Sequence, residues 1–238
     1  MRTAYTVFRN LYNVRKMTMK LVLASGSQRR RELLTMCGYD YEIIVSNADE
    51  TIDENDPESF VRALSFRKAK DVFDRLFAAG RRDFAVIGSD TVVAFQKDGE
   101  TKPVIIGKPK DAKDAVRILS MLSGKTHRVF TGVSVIADIP DENAAAQCSI
   151  REKAEIQTEC SITEVTFETL SPDEITDYVN SGDPLDKAGS YGIQGPFGMF
   201  VREIRGNYFT VIGMPIPVLY KMLKKIGILP HGFYERIE

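Results

Sequence analysis

The chain has 238 residues, of which 43% are hydrophobic and 27% charged, and its formal net charge is -1. These values are ordinary for a soluble globular protein and give no reason to expect a nucleic acid or a membrane as a partner. No apolar run reaches the roughly 20 residues that a membrane span needs. The cysteines are scattered and the two histidines, His127 and His231, are isolated, so neither a disulfide framework nor a zinc site is expected.

The first twenty residues contain five basic residues and no acidic residue, with aromatic and aliphatic residues between them. This pattern is typical of an organelle-targeting leader, and a disordered extension is the alternative interpretation. We therefore divide the chain into a basic N-terminal extension at 1–19, one domain at 20–228 and a C-terminal tail at 229–238. The expected location is cytoplasmic, with targeting to an organelle as the alternative.

Strands and helices alternate in the first half of the chain. Ser27 is a favourable N-cap for a helix, and Gly38 and Gly124 are favourable helix stops. Apolar residues at helical spacing predict a long helix that begins at Pro57. In chain order, the predicted elements are a strand at 21–24, a helix at 28–37, a strand at 41–45, a helix at 57–79, strands at 84–88 and 91–96, and a helix at 111–122.

The second half is richer in strands. Ser171 and Glu174 form a capping box, which predicts a helix start. Gly206 and Asn207 lie between two apolar runs and predict a hairpin. The other predicted elements are a strand at 129–136, an exposed loop at 138–157, a strand at 159–169, the hairpin strands at 199–204 and 208–212, and a last helix after Pro217. Early alternation followed by antiparallel pairing predicts a mixed sheet flanked by helices.

The segment Ala24-Ser25-Gly26-Ser27-Gln28-Arg29-Arg30-Arg31 joins the first strand to the first helix. Its three arginines stand in the first turn, where positive charge opposes the helix dipole and costs stability. A bound anion would offset this cost, because free backbone N–H groups, hydroxyls and guanidinium groups all hold phosphate oxygens. The segment therefore predicts a phosphate site, with a solvated basic turn as the alternative. It is not a Walker P-loop, since the lysine-bearing glycine motif is absent.

Two acidic features are candidates for chemistry on a phosphate. Asp90 lies between two apolar strand-like runs, where a carboxylate often lines a cleft and binds a metal or takes a proton from water. A cluster of acidic residues after the second strand could hold Mg²⁺ or Mn²⁺ through oxygen ligands. The cluster consists of Asp49, Glu50, Asp53 and Glu54. The alternatives are a turn aspartate bonded to its own backbone and a solvated acidic loop.

Further candidates lie on lysines and on a glycine-rich loop. Lys68 and Lys108 could act as point charges for phosphate, although a lone lysine is more often solvated. The segment 186–195 contains three glycines and favours a tight loop that approaches a ligand closely. Gln194 within it can both donate and accept hydrogen bonds, which suits the edge of a base. A purely structural turn is the alternative.

Together these segments resemble the Maf family of nucleotide pyrophosphatases. The motifs occur in the order of that family, as ASGSQRR, FRKA, GSDT, GKP, LSGKTHRV and PLDKAGSYGIQG, and the similarity runs from about Lys20 to Ile226. Several ordered matches are more specific than any one of them. The chain departs from the family at Gln28, where proline is usual, in its longer polar stretch at 138–157 and in its basic extension.

The resemblance implies roles for individual residues. Asp90 would be the general base that activates the attacking water, and Glu50 a second acid that shares a divalent ion, Mg²⁺ or Mn²⁺, with Asp90. Basic and hydroxyl side chains would hold the triphosphate, and three positions would govern substrate choice. The triphosphate set is Ser25, Ser27, Arg29, Arg30, Lys68 and Lys108, and the specificity set is Arg29, Thr91 and Gln194.

The fold implied by the resemblance is one α/β unit on a curved mixed β-sheet flanked by helices, with two lobes around a central cleft. Thr91, Ile193-Gln194 and the absence of tryptophan favour the branch that acts on dTTP and UTP over the branch that acts on UTP and CTP or on 7-methyl-GTP. The expected reaction is hydrolysis to the monophosphate and pyrophosphate. No Ser–His or Cys–His pair is evident, so direct attack by water is expected.

The implied role is the removal of non-standard or excess pyrimidine nucleotides, and the resemblance makes a homodimer an expectation. A rival interpretation is a catalytically silent nucleotide-binding regulator of cell division. Retention of Asp90 and the lysines argues against that rival. A second rival is an RNA- or DNA-binding module, which the near-neutral charge disfavours.

Overall fold

The structure is a computed structural model that describes residues 19–96, 99–139 and 154–231. Residues 1–18 of the predicted basic extension at 1–19, most of the predicted loop at 138–157 and residues 232–238 of the predicted C-terminal tail lie outside the described residues. The strands are β1 Lys20–Leu23, β2 Glu42–Ile43, β3 Phe84–Phe95, β4 Val104–Ile106, β5 Thr126–Asp138, β6 Ala154–Phe167 and β7 Val201–Arg205. The α-helices are α1 Gln28–Met36, α2 Pro57–Ala78, α3 Ala112–Leu122, α4 Pro172–Asn180, α5 Tyr208–Ile212 and α6 Ile216–Lys225. Among these helices, none is long and apolar enough to cross a membrane.

The strands form one mixed sheet in the order β2-β1-β3-β5-β6-β7, with β4 also paired to β3. β1 pairs in parallel with its two neighbours, β2 and β3. The other pairs are all antiparallel: β3 with β4, β3 with β5, β5 with β6, and β6 with β7. The predicted mixed sheet flanked by helices is therefore confirmed. Parallel pairing is confined to the part of the sheet where strands alternate with helices, as chain connectivity requires.

β3 is a single continuous strand, so the predicted break at Ser89-Asp90 between two strands is wrong. It pairs with β5 without interruption from Ala85 to Ala94. Both polar residues are tolerated inside the strand because each has a partner. Ser89 Oγ donates to Gly132 O at 2.9 Å, and Asp90 Oδ1 accepts from Lys68 Nζ at 2.7 Å.

The other edge of β3 is paired only at its two ends. β1 pairs with residues 84–87 and β4 pairs with residues 93–95. Within the described part of the chain, residues 88–92 thus have no strand beside them on this edge. Successive side chains of a strand point to opposite faces of the sheet, so the side chains of Asp90 and Thr91 lie on opposite faces at this gap.

The long helix α2 packs across β3 and β5 with its backbone unusually close to the sheet. A Cβ atom at Gly88 would lie 2.2 Å from Ser65 O, and one at Gly132 would lie 2.2 Å from Val61 O. Only glycine at both positions allows this approach. The approach holds α2 in the position that brings Lys68 against Asp90.

On the face of β3 that points away from α2, two hydrophobic cores lie at opposite ends of the strand. Two smaller clusters pack on the other face, against α2. The first core packs β1, α1 and α6 against the early part of β3, around Ala85 and Ile87. The second core packs α3, α4 and several aromatic rings against its late part, around Val93 and Phe95. Between the two cores the same face of β3 carries the polar side chains of Ser89 and Thr91. This arrangement agrees with the predicted two lobes around a cleft.

The predicted hairpin is wrong in its second strand. Residues Tyr208–Ile212 form the helix α5, whereas the first predicted strand is present as β7. Asn207 caps the helix, since its Oδ1 accepts from Phe209 N at 2.9 Å and Thr210 N at 3.3 Å, and Gly213 ends it with φ of 110°. Aromatic and β-branched residues favour strands, but capping and packing outweigh this weak preference.

Two smaller predictions also need correction. Ser27 stands at the N-cap of α1, but its side chain makes no cap hydrogen bond. β5 extends to Asp138 and β6 begins at Ala154, so both ends of the predicted exposed loop are strand. The apolar periodicity at these ends is too weak to predict a strand. Their strand conformation depends on the pairing of β5 with β6, which the local sequence does not reveal.

His127 is buried in the second core and makes folding stability depend on pH. It is 2% exposed, and its Nε2 lies 3.0 Å from the hydroxyl oxygen of Tyr191. Burial lowers the pKa of the imidazole to about 3. Between this value and the ordinary pKa near 6.5, the unfolded chain binds a proton that the folded chain does not, so stability falls as pH falls.

We expect this histidine alone to lower the free energy of unfolding by about 2 kcal/mol between pH 7 and pH 5. Urea unfolding at the two pH values, with His127→Gln compared with the wild type, measures the effect. The variant should lose that part of the pH dependence. His231→Gln is the control, since that imidazole is 63% exposed. An unchanged pH dependence in His127→Gln would contradict the prediction.

Candidate functional site

A cavity of about 1660 Å³ opens beside the gap in the edge of β3. It is lined by the segment between β1 and α1, by α2, by the middle of β3 and by the glycine-rich loop after α4. Every residue to which the family resemblance gives a role lines this cavity, although those residues come from six separate segments; Asp49 and Asp53 of the acidic cluster do not line it. The residues with such a role are Ser25, Ser27, Arg29, Arg30, Glu50, Lys68, Asp90, Thr91, Lys108 and Gln194.

Asp90 and Glu50 meet at the ammonium group of Lys68. Lys68 Nζ lies 2.7 Å from Asp90 Oδ1 and 3.0 Å from Glu50 Oε2. The side chains of Lys68 and Asp90 are each 12% exposed, whereas that of Glu50 is 64% exposed. Pairing with Lys68 makes the buried charge of Asp90 tolerable, because an unpaired carboxylate in this position would be strongly disfavoured.

Arg30 is held at the base of the cavity by neutral acceptors. Its three nitrogens donate to Gly213 O at 2.8 Å, Ser25 Oγ at 3.1 Å and Thr91 Oγ1 at 3.3 Å. Burial lowers the pKa of the guanidinium from its usual value, while the charge of Asp90 acts in the opposite direction. A guanidinium stays protonated in proteins, so Arg30 supplies fixed positive charge to the cavity.

The N-terminus of α1 faces the cavity without an acidic residue in its first turn. Ser27 N donates to Ser25 Oγ at 3.2 Å, and the Ser27 side chain caps no backbone N–H group. Free N–H groups and the positive end of the helix dipole thus point to the same space as Arg30. This geometry suits an anion with several oxygens.

Arg29 connects α1 to the glycine-rich loop. Its Nη1 lies 3.3 Å from Asp186 Oδ2, and Lys187 Nζ lies 2.8 Å from Asp186 Oδ1. Burial acts to raise the pKa of Asp186, but the hydrogen bonds and charges of Lys187 and Arg29 lower it overall. Asp186 is therefore an anion that ties the two basic side chains together.

Lys108 and Gln194 line the cavity without a protein partner for their polar groups in the described ranges. Gln194 is exposed, whereas its neighbour Ile193 packs against both main cores. The backbone of this loop is thus anchored while the amide of Gln194 faces open space. Both side chains are available to a ligand.

Several residues of the site were not singled out by the sequence. Lys187 and Asp183 line the cavity, and Tyr178 lies directly behind them. The motif PLDKAGSYGIQG contains Lys187 and directly follows Asp183, but these residues gain individual roles only when their contacts are known. Lys187 is 12% exposed and Tyr178 is 6% exposed, so their polar groups need partners inside the fold.

No group of three or more histidine, cysteine, aspartate or glutamate side chains that could hold a metal ion occurs among the described residues. Two carboxylates, Asp90 in the gap of β3 and Glu50, contact the same ammonium group of Lys68 and are the candidate oxygen donors. Mg²⁺ is commonly held by only one or two carboxylates together with water and substrate phosphates. The donor set therefore fits a divalent ion that binds together with a polyphosphate.

The sheet and the cavity together define an α/β protein whose cleft is suited to a polyphosphate. Comparison with known proteins agrees with this class. The family model described as Maf-like protein matches residues 20–226. The chain therefore belongs to the family of Maf-like proteins, and the resemblance inferred from its motifs is confirmed.

Relatives in this family carry a more specific name. A dTTP/UTP pyrophosphatase from Agathobacter rectalis is 40% identical over 217 residues, which cover 88% of this chain and 98% of that protein. A dTTP/UTP pyrophosphatase from Bacillus thuringiensis subsp. konkukian is 42% identical over 210 residues, covering 88% and 96%. Among solved structures, the Staphylococcus aureus Ham1 protein matches with a TM-score of 0.44 and 15% identity, covering 87% of this chain and 98% of that one.

Proposed function

We propose that this chain is a nucleoside triphosphate pyrophosphatase that hydrolyses dTTP and UTP to the monophosphate and pyrophosphate. The names of its relatives and its membership of the Maf-like family support this activity. One geometric observation carries the proposal most directly. Asp90 stands in the gap of β3 beside Lys68, and it lines the same cavity as the basic turn at Ser25–Arg30 and Lys108.

In the proposed reaction, Asp90 takes a proton from a water molecule as its oxygen attacks the α-phosphorus. A bond forms between the water oxygen and phosphorus, and the bond from that phosphorus to the bridging oxygen breaks. Pyrophosphate leaves with the bridging oxygen. A positioned general base within hydrogen-bond reach of the water typically contributes about 10²- to 10⁴-fold to such a step.

The charge that develops on the phosphate oxygens needs preorganised cations. Arg30 is already locked by three hydrogen bonds, so it loses little freedom when it meets the substrate. Lys108 and the N–H groups at the start of α1 face the same space. We assign these groups to the triphosphate, together with Ser25, Ser27, Arg29 and Lys68.

We further propose that the reaction requires Mg²⁺ or Mn²⁺. Asp90 and Glu50 would hold the ion, which would supply positive charge to the phosphate oxygens. Lys68 lies between the two carboxylates and contacts both. Lys68 therefore offsets one of the two negative charges in the absence of another cation and can turn towards a phosphate when one is present.

Substrate choice is assigned to Arg29, Thr91 and Gln194. Gln194 is the candidate for contact with the base, since its amide makes no hydrogen bond within the described part of the chain. Thr91 acts more indirectly, because its hydroxyl contacts Arg30 and lies 3.0 Å from Thr131 Oγ1. Arg29 is tied to Asp186 of the glycine-rich loop.

Measurement of pyrophosphate release tests the activity. With Mg²⁺, we expect release from dTTP and UTP, slower release from dCTP and 7-methyl-GTP, and loss of activity on addition of EDTA. Restored release on readdition of Mn²⁺ would support the metal assignment. Tight binding of dTTP without release of pyrophosphate would contradict the proposal and favour the nucleotide-binding regulator. The cytoplasmic location, the homodimer and the domain limits at 20 and 228 stay predictions.

A further inference from the structure

Behind the glycine-rich loop, Tyr178 anchors a polar network that runs through Asp183 and Lys187 to the lining of the cavity. Tyr178 belongs to α4, is 6% exposed and is absent from the lining of the cavity. Its hydroxyl donates to Asp183 Oδ2 at 2.5 Å and accepts from Gly192 N at 3.0 Å. Burial and the bond to Asp183 raise the pKa of this phenol, so the hydroxyl keeps its proton and its role as donor.

Lys187 supports the same loop from the other side. Its Nζ lies 3.0 Å from Asp183 Oδ1 and also donates to Asp183 O at 2.5 Å. Its aliphatic part packs on Gly192, where an added Cβ would lie 2.7 Å from Lys187 Cε. Asp183 therefore accepts from the Tyr178 hydroxyl on one carboxylate oxygen and from the Lys187 ammonium on the other. The Tyr178 hydroxyl and the aliphatic part of Lys187 also lie against Gly192.

Gly192 lies two residues before Gln194. Between them, Ile193 packs against both cores, so the backbone has little freedom once the amide of Gly192 is fixed. Gln194 has no hydrogen bond of its own in the described ranges. The direction of its amide thus depends on the backbone, and the backbone depends on the bond between Gly192 and Tyr178.

We propose that Tyr178 and Lys187 are positioning residues that fix Gln194 for recognition of the base. This inference rests on the proposed function, in which Gln194 contacts the base. The Tyr178 hydroxyl acts through Gly192, not on the substrate. A hydroxyl that merely stabilised the fold would affect all nucleotides alike, whereas a positioning hydroxyl affects the preference between bases.

The test is a double-mutant cycle with Tyr178→Phe and Gln194→Ala. The quantity measured is the ratio of kcat/KM for dTTP to kcat/KM for dCTP, since these substrates differ at the base. Loss of one well-made hydrogen bond in a binding site typically lowers affinity by about tenfold. We therefore expect Tyr178→Phe to lower this ratio of kcat/KM values by about tenfold. In the Gln194→Ala background the same change should have no further effect.

Lys187→Met provides a second variant, and Tyr208→Phe serves as the matched control at a 42% exposed tyrosine. Thermal melting shows whether each variant is folded at the assay temperature. An equal loss for dTTP and dCTP in Tyr178→Phe, or an effect that persists in Gln194→Ala, would overturn the positioning role. If the wild type released no pyrophosphate from dTTP, the proposed function itself would fail, which is a separate result.

Discussion

Asp90→Asn should lower kcat for dTTP hydrolysis by about 10³-fold, because an amide cannot accept the proton of the attacking water. The substitution keeps the shape of the side chain inside β3. Lys68 also retains Glu50 as an ionic partner at 3.0 Å. We therefore expect a folded protein with an unchanged melting temperature within a few degrees. Steady-state release of pyrophosphate and thermal melting measure the two effects.

Asp177→Asn is the matched control, since Asp177 is exposed on α4 and away from the cavity. Repeating the assay over a range of Mg²⁺ concentrations separates the two roles assigned to Asp90. A loss that disappears at high Mg²⁺ would show that Asp90 only binds the metal. Full activity of Asp90→Asn at ordinary Mg²⁺ would refute both roles.

Gly132→Ala should destabilise the folded chain by about 3 kcal/mol, at the upper end of what one overpacked methyl group costs. The added Cβ would lie 2.2 Å from Val61 O and 2.5 Å from Val61 C. These atoms belong to the backbone of α2, so no side chain can turn away to make room. Relief requires a shift of α2, which carries Lys68, and we therefore expect catalytic activity to fall as well.

Urea unfolding at neutral pH measures the stability change. Gly107→Ala is the control for adding a methyl group, because a Cβ there would have no neighbour within 4 Å and its φ lies outside the left-handed region. The stability of that variant should differ from the wild type by less than about 0.5 kcal/mol. Equal stabilities for Gly132→Ala and Gly107→Ala would contradict the close approach of α2.

The sequence was most informative where local chemistry and chain order agree. The capping box at Ser171 and Glu174 is present with both of its hydrogen bonds, and Asp56 and Asp111 cap α2 and α3. Each of these starts depends on residues within one turn of the chain. Their positions could therefore be predicted without any knowledge of the tertiary structure.

Local reasoning failed where a distant partner decides the outcome. Ser89 and Asp90 look like a break between strands, yet bonds to Gly132 and Lys68 keep them inside β3. Residues 208–212 have strand-forming side chains, yet they form the helix α5. The helix packs against β5 and β6: Thr131 Oγ1 on β5 donates to Thr210 O, and Ser161 Oγ on β6 lies 2.7 Å from Thr210 Oγ1. In each case the partner residue is far away in the sequence.

The sequence by itself determined the family, the mixed α/β class and the residue types that a polyphosphate requires, because these follow from ordered motifs, hydrophobic periodicity and charge. Tertiary structure decided where those residues act. The gap between β1 and β4 opens the edge of β3 at Asp90, and two glycines let α2 bring Lys68 to it. Behind the glycine-rich loop, Tyr178 and Lys187 gain their role only through contacts with Asp183 and Gly192. Contacts between segments far apart in the chain depend on the packing of the whole sheet, which no local pattern encodes.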